Sequence, residues 1–147
     1  EIGASGSITP AWDLYTSYTF LDSEVRESNN SFEEGSRLGG TPDHTFNAWT
    51  TYNVTPAWSI GGGVEYVDDQ VNSVRNDPAG SRRVQVEVDS YDVFHASTTY
   101  RFDEDLKVRV NAFNLFDEEY ISQVAEGGAQ GIPGPARHLI ATLQYDF

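Results

Sequence analysis

The chain ends Arg137-His138-Leu139-Ile140-Ala141-Thr142-Leu143-Gln144-Tyr145-Asp146-Phe147. Counted by twos, Leu139, Ala141, Leu143, Tyr145 and Phe147 share one face, while His138, Ile140, Thr142, Gln144 and Asp146 share the other. That is the period of a β-strand with one apolar side. If other segments repeat it, the chain is a series of such strands.

They do. Ile8-Thr9-Pro10-Ala11-Trp12 and Val54-Thr55-Pro56-Ala57-Trp58 match at four of five positions, 46 residues apart, and Phe102-Asp103-Glu104-Asp105-Leu106 is a looser copy. Each is a short turn signal between two alternating runs, the form in which tight hairpins are written. Outgoing strands follow the turns: Trp12, Leu14, Thr16, Tyr18 and Phe20; then Trp58, Ile60, Gly62, Val64 and Tyr66; then Leu106, Val108, Val110, Ala112, Asn114 and Phe116. Returning strands precede them, with Phe46, Ala48, Thr50, Tyr52 and Val54 on one face, and Phe94, Ala96, Thr98, Tyr100 and Phe102 on another. Residues 1–8 read as the lower part of one more returning strand, which makes about seven strands.

Aromatics at both ends of an apolar face with aliphatics between them form the girdle of a strand that crosses a bilayer. The girdle set is Trp12, Phe20, Phe46, Tyr52, Trp58, Tyr66, Tyr100, Phe102, Phe116, Tyr145 and Phe147. The connections are unequal: turns of a few residues at Pro10, Pro56 and Glu104, against long loops over residues 22–43, 68–90 and 117–137. Short periplasmic turns and long extracellular loops belong to outer-membrane barrels. The expected fold is therefore all-β, an antiparallel transmembrane β-barrel segment, rather than a soluble sandwich with evenly sized connections and a more charged exterior.

Composition agrees. Aromatics reach 13% while all hydrophobic residues together make only 38%. A net charge of −14 argues against a nucleic-acid partner, whose phosphates need clustered Lys and Arg. The absence of cysteine excludes disulfides and thiolate metal sites. No apolar run reaches the roughly 18 residues of a transmembrane helix, whereas a strand crosses with about 9 to 11.

No nucleophile elbow, His-Glu-x-x-His or Walker loop is present, so the chain is not expected to be an enzyme. His95 and His138 oppose the lipid-facing sets and point to the lumen, and His44 lies near the rim. Arg75, Arg82 and Arg83 concentrate positive charge in one loop. With His95 they are the candidate ligand contacts, suited to an anionic ligand such as the phosphates of lipopolysaccharide. Pairing of these arginines with Glu87 or Asp89 is the plainer alternative. Glu33-Glu34, Asp68-Asp69 and Glu118-Glu119 could hold a hard cation, but solvated acidic loops are the simpler reading, and no metal is expected. Lumen-facing Lys107, Arg109 and Asn111 lie near the short turns, away from the long loops.

The run Asn111-Ala112-Phe113-Asn114-Leu115-Phe116-Asp117-Glu118-Glu119-Tyr120 resembles the C-terminal part of TonB-dependent outer-membrane receptors, siderophore receptors above all. The matching positions are Asn111, Asn114, Leu115, Phe116, Asp117 and Tyr120. Gly131-Ile132-Pro133-Gly134-Pro135-Ala136-Arg137 resembles the lead-in to their last strand, and Tyr145-Asp146-Phe147 their ending. Gly40-Thr41-Pro42-Asp43-His44-Thr45 and Trp49-Thr50-Thr51-Tyr52 resemble an earlier returning strand. The resemblance implies a barrel of about 22 strands around an N-terminal plug. Residues 1–147 would then be its C-terminal third, with the plug and earlier strands absent. It further implies import of a ferric siderophore with energy from TonB acting through that plug, and a terminal Phe147 read by the barrel-assembly machinery. No cofactor is implied beyond the transported ferric siderophore. The competing reading is a plugless porin-like channel or a surface-binding outer-membrane barrel.

Overall fold

A computed structural model describes residues 1–29, 33–76, 83–124 and 130–147, with backbone alone for 73–76 and 83–85. The chain runs β1 (Ile2–Thr9), β2 (Trp12–Phe20), β3 (His44–Thr55), β4 (Trp58–Val67), β5 (Gln70–Asn76), β6 (Arg83–Val88), β7 (Tyr91–Arg101), β8 (Leu106–Phe113), β9 (Ile121–Val124), β10 (Gly131–Pro133) and β11 (His138–Tyr145). Seven of these form one antiparallel sheet in the order β1-β2-β3-β4-β7-β8-β11. Every neighbour in it is the next long strand along the chain. The sheet is open, with β1 and β11 at its edges.

The three short turns are built alike. Thr9 Oγ1 accepts from the Ala11 N–H at 3.3 Å; Thr55 Oγ1 accepts from Ala57 and Trp58 at 3.3 and 3.0 Å. In the looser copy Asp103 Oδ1 does the same for Asp105 and Leu106 at 3.0 and 2.8 Å. Thr or Asp thus replaces the missing ladder partner at each reversal.

Register sorts the alternation into two faces. Trp12 lies opposite Tyr52 and Tyr52 opposite Ile60, while Tyr18 lies opposite Phe46 and Phe46 opposite Tyr66. Further along, Trp58 faces Tyr100, Tyr100 faces Val108, and Leu106 faces Tyr145. This face is uncovered: Leu139 and Leu143 are 70% and 68% exposed, an apolar extent that water does not tolerate on a monomer and hydrocarbon does. On the opposite, lumenal face Trp49 lies across β4. A Cβ at Gly63 would stand 2.5 Å from Trp49 Cε3 and from the Ala48 carbonyl, so only glycine lets the indole lie there.

The buried apolar residues among those described are Val71, Val88 and Val93. They sit at the loop end, where the long connections close over the lumenal face. Those connections carry structure that the reading of solvated loops does not foresee: β5 pairs with β6, and β9 with β10. Two strand limits also differ. The third outgoing strand stops at Phe113, because Asn114 and Asp117 take positive φ of 50° and 61° and turn the chain away. Asn114 is therefore not on the lipid-facing row; it is 2% exposed. The last strand ends at Tyr145, and Phe147 lies beyond it with its ring edge-on to Tyr145 at 5.0 Å.

Candidate functional site

The loop end of the lumenal face is tied together by three clusters. The first joins the first long loop to the second. The Arg37 guanidinium bonds Asp43 Oδ2 at 3.0 Å, Asp69 Oδ2 at 2.7 Å and the Asp69 carbonyl at 3.0 Å. Its hydrogen bond to Asp69, with the charge of Asp43 beside it, holds Arg37 above its usual pKa. Next to this clamp the Gly40 N–H donates to the Val71 carbonyl at 2.8 Å. Asp69 is thus half of an ion pair, not of a cation site with Asp68, whose Oδ1 accepts from Tyr66 at 3.1 Å.

The second cluster is the run Asn114 to Tyr120 closing on the lead-in to β11. Asn114 Nδ2 donates to the carbonyls of Glu118 and Pro135 at 2.8 and 3.0 Å, and its Oδ1 accepts from the Glu118 N–H at 2.8 Å. Asp117 Oδ1 accepts from the Arg137 N–H at 2.9 Å, with the two side chains ion-paired at 3.5 Å. Arg137 therefore braces the entry to β11 through Asp117. The Tyr120 ring lies against Gly134, where any Cβ would fall inside the ring, and the Gly134 N–H donates to the Tyr120 carbonyl at 2.8 Å. Tyr91 packs on Tyr120 with centroids 4.3 Å apart and donates to Glu65 Oε1 at 3.5 Å. Burial first, and the Glu65 carboxylate second, push the Tyr120 phenol above its usual pKa.

The third cluster is a row of rings on the lumenal face. Phe113 stacks on His138 at 4.9 Å and 16°, and His95 meets Phe113 edge-on at 5.7 Å. The Asn114 N–H points at His95 Nδ1 at 3.4 Å, which leaves Nε2 as the protonated nitrogen in the neutral ring. His44 is not in this row. It stands on the outer face, bonded to Tyr18 Oη at 2.7 Å and stacked on Phe20 at 5.1 Å.

The second cluster borders a cavity of 990 Å³ between residues 86–90 and 117–121, with Gly131, Pro133, Gly134 and Ala136 on its far side. A second, of 320 Å³, lies where all three long loops meet, lined by Gly40, Gln70, Asn72, Val88 and Ser122 to Val124. The Asn72 Nδ2 that borders it is buried and has no hydrogen-bond partner among the described residues. Among those residues no three His, Asp or Glu side chains converge as metal ligands would.

Of the candidate ligand residues, His95 stands on the lumenal face of β7 opposite Gly63, beside Phe113 and Asn114, and lines neither cavity. Arg75 and Arg83 lie in the outer part of the β5–β6 hairpin, opposite Val84 and Asn76 respectively, with only their backbone described, and Arg82 falls outside the described residues. The structure therefore does not bring the four together. Asn111 is on the lumenal face of β8 opposite Ile140, and Leu115 donates its N–H to the Phe94 carbonyl at 2.8 Å. Phe116, though past the strand, meets Phe94 edge-on at 5.3 Å and so stays with the outer aromatics. Sequence reading missed Arg37, Tyr91 and Glu65, whose partners are distant in the chain, and Asn72, whose amide has no partner among the described residues. The alternation of Val84, Val86 and Val88 was a visible signal for β6.

A family model described as TonB dependent receptor-like, beta-barrel matches residues 1–115. The whole chain is 30% identical to 19% of the catecholate siderophore receptor Fiu of Escherichia coli (strain K12). It is also 30% identical to 17% of the ferric-pyoverdine 358 receptor of Pseudomonas putida. Among solved structures, the siderophore receptor PiuA from Acinetobacter baumannii superimposes with a TM-score of 0.82 at 25% identity, over 97% of this chain and 20% of PiuA. The open form of the ferric-catecholate import receptor Fiu does so with a TM-score of 0.80 at 26% identity, over 97% of this chain and 19% of Fiu. The chain thus spans about a fifth of the length of these relatives.

Proposed function

Because the chain belongs to the TonB-dependent receptor β-barrel family, an outer-membrane family, we propose that it is the C-terminal part of the barrel of a receptor that imports a ferric siderophore with energy from TonB. The observation that carries this reading is the alignment of the whole chain with receptors named for ferric catecholate and ferric pyoverdine. Earlier strands would close the sheet, since unpaired edges at β1 and β11 are prohibitively costly in lipid. A plug inside the barrel would meet the lumenal face at Lys107, Arg109 and Asn111 and transmit the pull of TonB. The protein is a transporter without catalysis of its own. No cofactor is involved, and the iron chelate is cargo.

The ligand would be received at the loop end, over the cavity where the three long loops meet and the Asn72 amide has no partner among the described residues, with His95 on the lumenal face of β7. Arg75 and Arg83 on the β5–β6 hairpin, with Arg82 next to Arg83 in the sequence, would meet an anionic chelate or lipopolysaccharide first. The net charge of −14 leaves neutral and cationic iron chelates admissible too. Phe147 would present the signal for barrel assembly.

The test is uptake of radiolabelled ferric siderophores by cells expressing the full-length protein, with and without TonB. Accumulation that requires both proteins and stops with a protonophore is expected. Uptake that persists without TonB, together with swelling of liposomes in small sugars, would instead identify a plugless channel.

A further inference from the structure

The lipid-facing side carries one device twice. Beside the first short turn, Trp12 Nε1 donates to Thr50 Oγ1 at 2.6 Å, and that hydroxyl donates to the Asp13 carbonyl at 2.9 Å. Beside the second, Trp58 Nε1 donates to Thr98 Oγ1 at 2.9 Å, and Thr98 donates to the Ser59 carbonyl at 3.3 Å. Each relay satisfies polar groups for which hydrocarbon has no partner, and each fixes the plane of an indole.

The strand beyond the relay differs between the copies. In the first, Ile60 and Gly62 lie opposite Tyr52 and Thr50. In the second, Val108 and Val110 lie opposite Tyr100 and Thr98. Glycine therefore stands where the other copy has valine, and at the first copy an apolar groove of 490 Å³ opens, walled by Trp12, Tyr52 and Ile60 and floored by Thr50 and Gly62. Packing does not demand this glycine. A Cβ at Gly62 would meet nothing nearer than the His95 carbonyl, at an ordinary 3.5 Å, whereas one at Gly61 would crowd Ser97 Oγ and the Trp49 ring, and one at Gly63 the Trp49 ring and the Ala48 carbonyl. Glycine inside a strand costs stability, so the open floor at Gly62 leaves room for something outside the chain.

We propose that the groove seats one acyl chain of a phospholipid from the periplasmic leaflet. The occupant follows from position and charge. The groove is continuous with the lipid-facing surface and lies at the short-turn end, the periplasmic end of such barrels. The turns beside it, Thr9-Pro10-Ala11 and Thr55-Pro56-Ala57, carry no charge, which fits a zwitterionic headgroup above the seated tail. Since lipid already surrounds the barrel, the seat gains by close van der Waals contact and not by the hydrophobic effect. The pinned Trp12 provides a wall that needs no ordering when the tail arrives. The inference rests on family membership and is independent of the ligand imported.

The test places the full-length protein in nanodiscs of phosphatidylethanolamine and phosphatidylglycerol doped with a phospholipid bearing a diazirine in its acyl chain. Adducts are mapped by mass spectrometry, and folding is checked by heat-modifiable mobility. Labelling of residues 12–20 and 58–67 several-fold above residues 106–113 is expected. Gly62→Val should lower it to that background, and Val110→Gly should raise labelling at 106–113. Equal labelling of the two copies, or labelling indifferent to both variants, would overturn the proposal. So would preferential labelling by a diazirine-bearing lipid A, or a chain-to-chain crosslink at Gly62 that excludes lipid.

Discussion

Asn114 and Glu118 exchange two hydrogen bonds, Nδ2 to carbonyl and N–H to Oδ1, each 2.8 Å long. With a third bond to Pro135, one side chain closes the third long loop onto the lead-in to the last strand. Its positive φ, 50°, is one that Asn tolerates better than other residues with a Cβ. Asn114→Ala removes the side-chain partner of three backbone groups and strains the turn. It should cost about 2 to 3 kcal/mol in urea unfolding of the detergent-solubilised full-length barrel. Asn114→Gly, which relieves the backbone and still loses the bonds, should recover less than half of that.

The neighbouring pair behaves differently. Asp117 and Arg137 are half exposed, so their ion pair is screened, and Arg137→Gln should cost less than about 1 kcal/mol. Asp117→Ala additionally deprives the Arg137 N–H of its acceptor and places alanine at a φ of 61°, so it should exceed Arg137→Gln. Equal losses in the same unfolding assay would mean that the guanidinium, and not the backbone bond, holds the entry to β11.

Adjacent glycines on β4 should respond oppositely. Gly63→Ala forces a methyl against the Trp49 ring and the Ala48 carbonyl and should destabilise by about 1 to 3 kcal/mol. Gly62→Ala makes only an ordinary contact with the His95 carbonyl and should be neutral or stabilising by up to about 1 kcal/mol. Tryptophan fluorescence of the folded barrel should shift for the first variant as the Trp49 indole is displaced.

Tyr120 makes the third loop sensitive to alkali. Burial raises its folded pKa above the ordinary value of 10.0, so the folded state holds this proton more tightly than the unfolded one. Its contribution is complete below the unfolded pKa and is lost as pH climbs through the folded one. Hydrogen exchange in residues 117–124 should therefore speed up above about pH 10 beyond the intrinsic base-catalysed rate. Tyr120→Phe, which keeps the ring on Gly134, should reduce that excess.

The strands and the sorting of connections by length were legible because each signal is local. A strand writes its two faces every second residue, and Thr9, Thr55 and Asp103 stand at equivalent places in the three turns. Asn114 misled because Asn114 and Phe116 continue the parity of Val110 and Ala112, whereas the backbone turns at positive φ after Phe113. The β5–β6 hairpin hid in a stretch read as solvated, despite the alternation of Val84, Val86 and Val88. The mouth was mostly illegible: Arg37 meets Asp69 across 32 residues, and no periodicity announces such a pair. The resemblance at Asn114, Asp117, Tyr120 and Arg137 located a scaffold of hydrogen bonds that ties the third long loop to the entry of β11, and none of the four has to touch a ligand to serve it.

Val110 and Asn111 test which face meets lipid. They are consecutive on β8, Val110 opposite Thr98 and Ala141, Asn111 opposite Ser97 and Ile140. If the alternation is oriented as the aromatic rows require, Val110→Arg puts a guanidinium into hydrocarbon near the midplane and should cost about 2 to 4 kcal/mol. The cost falls toward the interfaces, so Leu106→Arg, at the short-turn end of the same face, should cost less than Val110→Arg. Asn111→Ala loses a polar side chain on the lumenal face and should cost less than either. Refolding of the full-length barrel into lipid vesicles, followed by urea titration, ranks the three. The order Val110→Arg, Leu106→Arg, Asn111→Ala follows from a depth-dependent lipid face. Small losses for both arginines beside a large one for Asn111→Ala would mean that the apolar row faces inward.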